Sequence, residues 1–322
     1  MNGHALSGWS AFWFSPSPLG TLGFVRRALC VVTAIYFASA LGDIETWFQR
    51  GAPASSANLA TFFRTAELTS DARWMVSPLF VWDALFAGSV WGESAIVYRG
   101  YLLLGILLAL LVAVSDRMDR VNLPSRVSKL LGSCWPSVLL WIWFVGWANR
   151  IVLVAGIVEP VLSVSLAALA IAPIAHRMTS QSGPESLSWR TTLSRRLLAV
   201  QASLIGILTT ATMLASPTWW NGMGAYALIA PVEDRLFDVR GSFFESPLVY
   251  ELTTALIVCA LPVGIAFAWQ PPWRRIGIGL ILAWCFLVAL LSANVLYAVT
   301  LGIIATTIGT KESAMPPPEQ MG

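Results

Sequence analysis

Charge is the scarcest property of this 322-residue sequence: Asp, Glu, Lys and Arg together make up 11% of it, less than half of what a soluble globular chain carries. With 57% hydrophobic residues, 16 Trp and 15 Phe, and a mean hydropathy of +0.70, there is too little polar surface to coat a water-soluble domain of this size. A cytosolic globular protein is excluded, and lipid is the solvent for most of the chain. The net charge of +3, from 20 Lys and Arg against 17 Asp and Glu, is dispersed along the sequence. A nucleic-acid face needs clustered cations, so no nucleic-acid partner is expected.

Histidine is scarcer still. His4 lies in the N-terminal tail and His176 at the end of an apolar run, which excludes a haem held by two intramembrane histidines or an imidazole-bound metal. No metal site is expected. Cys30, Cys134, Cys259 and Cys285 all fall in apolar runs without a CxxC pair, so they read as small buried hydrophobes rather than bridges. Residues 1–21 contain no Lys or Arg and so lack the basic start of a cleavable signal peptide; the first apolar run is expected to stay as an anchor. The sequence shows no internal repeat, against a transporter built from duplicated halves. Nothing in it reads as a phosphate loop or metal box.

Long apolar runs are present instead. A helix needs about 20 mostly apolar residues to cross the hydrocarbon, and seven charge-bounded candidates occur at 22–41, 96–114, 130–147, 151–175, 197–215, 248–268 and 276–308. The last is too long for one untilted crossing, and a break is expected at Gly302. The fold class predicted is an all-α polytopic membrane bundle of about seven helices (six to eight). An N-terminal tail occupies 1–21, the transmembrane domain 22–309 and a disordered tail 310–322.

Cytoplasmic loops are richer in Lys and Arg than the loops opposite. With a cytoplasmic N-terminus, the inside segments hold Arg26, Arg27, Arg117, Arg120, Arg126, Lys129, Arg177, Arg190, Arg195, Arg196, Arg274 and Arg275 against Asp116, Asp119 and Glu185. The remaining basic residues are outnumbered by acids, which supports that orientation. Two outside loops are long. In 43–95 the apolar stretch 75–91 is too short to cross and carries Pro78 and Asp83; it either lies in or dips into the interface, or is loop. The other, 216–247, holds Trp219, Trp220, Tyr226, Glu233, Asp234, Arg235, Asp238 and Arg240.

An ionisable residue at membrane depth asks for a partner or a function. Arg26 and Arg27 lie close enough to the start of the first run to snorkel. Glu159 precedes Pro160 within the fourth run. Beside carbonyls freed by the proline it either binds a proton or cation, or pairs with an arginine. Glu251 lies one turn into the sixth run, where it is either hydrated or functional. Asn149 and Arg150 form the polar tip of a tight hairpin between two runs, a solvated turn or a ligand contact. From Arg195 to Tyr226 the sequence reads RRLLAVQASLIGILTTATMLASPTWWNGMGAY. Gln201, Thr209, Thr210 and Thr212 bond across to neighbours or back to carbonyls. Pro217 ends the helix, the two tryptophans fall at the interfacial belt, and Asn221–Gly222 makes a turn.

That segment resembles the horizontally transferred transmembrane (HTTM) domain, the bacterial relatives of vitamin K-dependent gamma-carboxylase. The residues that carry the resemblance are Arg196, Gln201, Pro217, Trp219, Trp220, Asn221 and Gly222. They are supported by 22–26, by the WIWFVGWANR run ending at Arg150 with Gly156 and Glu159 after it, and by Glu251. The resemblance covers most of 19–300 and implies an integral protein of the bacterial cytoplasmic membrane. It also implies a lysine base before the tryptophan turn, where this sequence has Met213 or, shifted by one, Leu214. In the late helix, Ala283 and Trp284 occupy the region where relatives often carry histidine. A thioether or an alkyl chain takes no proton, so gamma-carboxylation is not expected.

The expected function is therefore binding or assembly, with a quinone or lipid held by Trp219, Trp220, Tyr226, Asn149, Arg150 and Gln201; protein partners are undetermined. The first alternative is a quinol-dependent enzyme with Glu159, Glu251 or Glu233 as base. The second is a small-molecule transporter.

Overall fold

The computed structural model describes residues 8–17, 20–65, 77–115, 132–152, 154–174, 188–229, 246–292 and 294–308. Among them every regular element is a helix: α1 Gly8–Phe14, α2 Gly20–Ala40, α3 Ile44–Phe48, α4 Ser56–Thr65, α5 Pro78–Leu85, α6 Ala95–Val114, α7 Trp135–Arg150, α8 Val158–Ile171, α9 Trp189–Ala215, α10 Pro217–Trp220, α11 Gly224–Ile229, α12 Pro247–Trp269, α13 Arg274–Leu291 and α14 Val295–Ala305. The fold is all-α. The chain divides into two compact units, Arg26–Ala175 and Met1–Val25 with His176–Gly322. Glu233, His176 and the tails 1–7 and 310–322 lie outside the described residues.

Among the described residues five helices have the length and apolarity to cross a bilayer: α2 from Leu22, α6, α9, α12 and α13. Their outward faces are apolar too. Leu103, Leu104 and Leu107 of α6, Leu204, Ile207 and Leu208 of α9, and Leu248, Leu252 and Leu256 of α12 are all at least half exposed, a surface suited to lipid rather than water. The chain is an integral membrane protein.

The third and fourth candidate runs form shorter helices. The third starts at Trp135, with Pro136 in its first turn, where a missing N–H costs nothing. The fourth is confined to the 14 residues of α8. Between them the chain does not turn tightly at Asn149–Arg150. Arg150 is the last residue of α7 and is fully buried, and the connection runs from Ile151 to Ile157, so the solvated-tip reading is corrected.

The break in the last run falls at 292–294 rather than at Gly302. Ser292 is extended, with φ −133° and ψ 161°. Its hydroxyl donates to Val288 O at 2.8 Å and accepts from the Asn294 N–H at 3.3 Å, a local arrangement that competes with helix. Gly302 lies inside α14, where a Cβ would stand 3.3 Å from Leu282 Cδ2. It permits close packing instead of ending the helix. Close approach also defines the α12–α13 pair: a Cβ on Gly264 would stand 3.1 Å from Gly277 O, the small-residue contact by which membrane helices gain packing.

Arg26 does not snorkel. It is buried, and its guanidinium donates to Ala172 O, Pro173 O and Ile174 O at 3.0–3.2 Å. A cation thus satisfies carbonyls just past the C-terminal end of α8, where the helix dipole is negative. The apolar stretch 75–91 contains α5, started by Ser77, whose hydroxyl accepts from the Leu79 N–H, and by Pro78. α5 packs on α7 at Gly146, where a Cβ would lie 2.7 Å from Tyr101 Oη and 2.8 Å from Pro78 Cδ.

Candidate functional site

The tryptophan turn is built by the way α9 ends. Pro217 offers no N–H and forces the preceding residue out of helical geometry; Ser216 is accordingly extended, with φ −97° and ψ 126°. The final turn of α9 leaves carbonyls without helical partners. One of them, Leu214 O, accepts the indole N–H of Trp220 at 2.5 Å. Gly222 closes the turn at φ +75°, a conformation that glycine adopts without steric cost. The turn is then pinned to α12: the Thr254 hydroxyl donates to Gly222 O at 2.8 Å and accepts from the Ala225 N–H at 2.9 Å.

This construction leaves a cavity of about 490 Å³ between the turn and α12, lined by Leu214, Trp219, Trp220, Asn221, Gly222, Glu251, Thr254, Ala255, Val258 and Cys259. The volume lies within the roughly 300–1,000 Å³ of small-molecule sites. Its walls are mainly aromatic and aliphatic. The Trp219 indole N–H and the Asn221 side-chain amide, both bordering the cavity, donate to no other described residue. Both groups are hydrogen-bond donors. Glu251 is exposed and is the one carboxylate among the described lining residues. Leu214 lines the cavity while Met213 is buried beside it in sequence, so neither residue at the expected lysine position offers a base.

The other ligand-contact residues expected from sequence do not gather here. Tyr226 is exposed and stands edge-on to Tyr250, with ring centres 5.7 Å apart, outside the cavity lining. Gln201 lies on α9 about 20 Å from its end by helical rise. The threonines of α9 bond mostly backwards, Thr210 to Gly206 O and Thr212 to Thr209 O, while Thr209 lies 3.4 Å from Tyr297 Oη. Trp284, at the position where the resemblance implies histidine, is buried and donates to Ile257 O at 2.9 Å.

Asn149, Arg150 and Glu159 belong to the other unit. Asn149 is half-buried in the last turn of α7. Arg150 is occupied by the protein itself. Its guanidinium donates to Ala54 O at 2.6 Å and to Tyr98 Oη at 2.8 and 3.1 Å, and its Nε lies 3.6 Å from Asp83 Oδ2. Asp83 also accepts from Tyr98 Oη at 2.6 Å, from Ser56 Oγ at 2.7 Å and from the Glu93 N–H at 3.1 Å. The rings of Phe48, Phe80 and Tyr98 surround the guanidinium at 5.1–5.5 Å. A buried charge is tolerable when it is paired and hydrogen-bonded in this way. Arg150 is therefore an internal strut joining the segment ahead of α4 to α5, α6 and α7, with no free edge for a ligand. Asp83 and Tyr98, its partners, were not legible as such from sequence.

Glu159 lies in the first turn of α8, not in a span interior, so Pro160 frees no carbonyl there. It is buried and pairs with no arginine among the described residues. Tyr36 Oη donates to its Oε1 at 2.8 Å, and the Gly156 N–H donates to its Oε2 at 2.7 Å. The second contact satisfies an N–H just ahead of the helix start, as carboxylates near helix N-termini do. Comparison of the chain with known protein families, with characterised proteins and with solved structures finds no match.

Proposed function

We propose that the protein binds a quinone, or a lipid with a comparably flat polar head, in the cavity between the tryptophan turn and α12. The observation that carries this reading is the combination at one place of two tryptophans, an apolar α12 wall and two unused hydrogen-bond donors, Trp219 and Asn221. A quinone ring presents flat faces to aromatic walls and two carbonyls to donors. The ordered motif Arg196–Gln201–Pro217–Trp219–Trp220–Asn221–Gly222 supports assigning the chain to the HTTM class of carboxylase relatives, in a bacterial cytoplasmic membrane. Met213 and Leu214 make it a non-carboxylating member. The arginine-rich segments support a cytoplasmic N-terminus, with α7 and α8 completing about seven crossings.

Glu251 favours a second reading. It borders the same cavity and stands where a general base for a bound quinol would act, which makes a quinol-dependent reaction the alternative.

Mass spectrometry of organic extracts from the purified, detergent-solubilised protein tests the first reading. Wild-type protein is expected to carry near-stoichiometric quinone or a single enriched lipid, and a Trp219→Ala, Trp220→Ala double variant to lose it. No enrichment in either sample overturns it. If quinol oxidation is detected in the wild type, Glu251→Gln is expected to abolish it while quinone retention persists.

A further inference from the structure

The unit Arg26–Ala175 contains a separate cavity of about 320 Å³ at the end of α2. Aromatic side chains dominate its wall, Tyr36, Trp47, Phe48 and Trp147, and two carboxylates, Asp43 and Glu159, border it; no Lys, Arg or His does among the described residues. Glu159 is only 7% exposed, and its hydrogen-bond partners among the described residues, the Tyr36 hydroxyl and the Gly156 N–H, are neutral donors. Asp43 makes no ion pair among the described residues, and its side chain leaves the start of α3 uncapped. Arg150 lies across Phe48, 5.5 Å from the ring centre, but its charge is answered by Asp83. The buried indole N–H of Trp147, also on this wall, makes no hydrogen bond among the described residues.

Two carboxylates with no cation beside them among the described residues, one of them withdrawn from water, give negative potential in an aromatic enclosure. The groups that suit such an enclosure are organic ammonium ions, attracted by the ring quadrupoles and by the carboxylates together. A hard metal ion suits it less, since it demands several oxygen ligands at about 2.0–2.6 Å. No group of three or more His, Cys, Asp or Glu residues assembles among the described residues. The cavity also has a defined depth. The span of α2 runs from Leu22 to Ala40, and the lining residues Tyr36 and Asp43 bracket its end, which is headgroup level. We propose that this cavity binds an alkylammonium group, carried by a phospholipid headgroup or by a soluble amine.

The test uses the full-length protein in detergent. Native mass spectrometry with dioleoyl-phosphatidylethanolamine, -choline and -glycerol measures lipid retention. Titration with tetramethylammonium chloride or ethanolamine hydrochloride, against matched sodium chloride, is followed by tryptophan fluorescence. Retention of an amine-bearing lipid at least tenfold above phosphatidylglycerol supports the proposal and identifies a headgroup. Saturable binding of the soluble amines without lipid preference supports it and identifies a soluble ligand. In either case Asp43→Asn and Glu159→Gln are each expected to reduce binding at least tenfold. Asp43 is exposed and uncapping, so its variant keeps the test decisive if Glu159→Gln disturbs the α8 start. Equal retention of all three lipids with no amine response overturns the proposal. So does a preference that survives in both carboxylate variants.

Discussion

Asp83 and Arg150 face one another 3.6 Å apart, both buried, with the Tyr98 hydroxyl donating to one and accepting from the other. Removing the cation leaves Asp83 buried without its counter-charge, which typically costs about 3–5 kcal/mol. Arg150→Met is therefore expected to lower the thermal unfolding midpoint of the detergent-solubilised protein sharply. Arg150→Lys should rescue little, because one ammonium cannot reproduce the fork that reaches Ala54 O and Tyr98 Oη together. A Lys variant as stable as wild type would contradict this role.

Thr254 ties the tryptophan turn to α12 with one hydroxyl serving two backbone groups. Thr254→Val keeps the shape and strands both the Gly222 carbonyl and the Ala225 N–H, at a cost of about 2–4 kcal/mol. Thr254→Ser retains the hydroxyl and is expected to lose about 1 kcal/mol or less from the missing methyl. Thermal unfolding of the two variants side by side checks the ordering.

Gly222 combines a left-handed backbone with a neighbour. Its φ is +75°, and a Cβ there would stand 2.7 Å from Glu251 Cγ. Gly222→Ala is expected to cost about 1–2 kcal/mol from the backbone alone, plus the displacement of Glu251. Adding Glu251→Ala should recover the second part only. The double variant then remains less stable than Glu251→Ala by the backbone share; full recovery would show that the turn is not held in its left-handed form.

The proposed membrane orientation rests on charge. In a background with Cys30, Cys134, Cys259 and Cys285 replaced, single cysteines at Arg50 and Arg275, both exposed, are expected to label from opposite sides of the membrane. A membrane-impermeant maleimide added to intact cells should reach Arg50→Cys and not Arg275→Cys. The reverse pattern would invert the proposed topology.

The long helices were legible because lipid solvation leaves a simple signature, an unbroken apolar run closed by charge. Runs 96–114 and 248–268 match α6 and α12 within a residue or two at each end. Irregularities were harder to read. Gly302 looks like a breaker, yet it lies in a helix against Leu282; the polar residues Ser292 and Asn294 were the signal that mattered. The tryptophan turn was visible from Pro217 and Gly222, whereas the place of Glu251 in the cavity behind it was not. The turn's pairing with Thr254, and the partners of Arg150 and Glu159, were not visible. Tyr98 lies 52 residues from Arg150 and Tyr36 lies 123 residues from Glu159, Asp83 meets Arg150 from a separate short helix, and nothing in local pattern records such contacts. Arg26 misled for the same reason: position alone suggests snorkelling, and only the fold brings Ala172–Ile174 within its reach.

The most direct measurement of the central claim is photolabelling of the full-length protein with an azide-bearing ubiquinone analogue, followed by peptide mapping. Adducts are expected to concentrate in 214–222 and 251–259 and to disappear with excess unlabelled quinone. Adducts scattered over the outward faces of α6, α9 and α12 and insensitive to competitor would contradict a quinone site at the tryptophan turn.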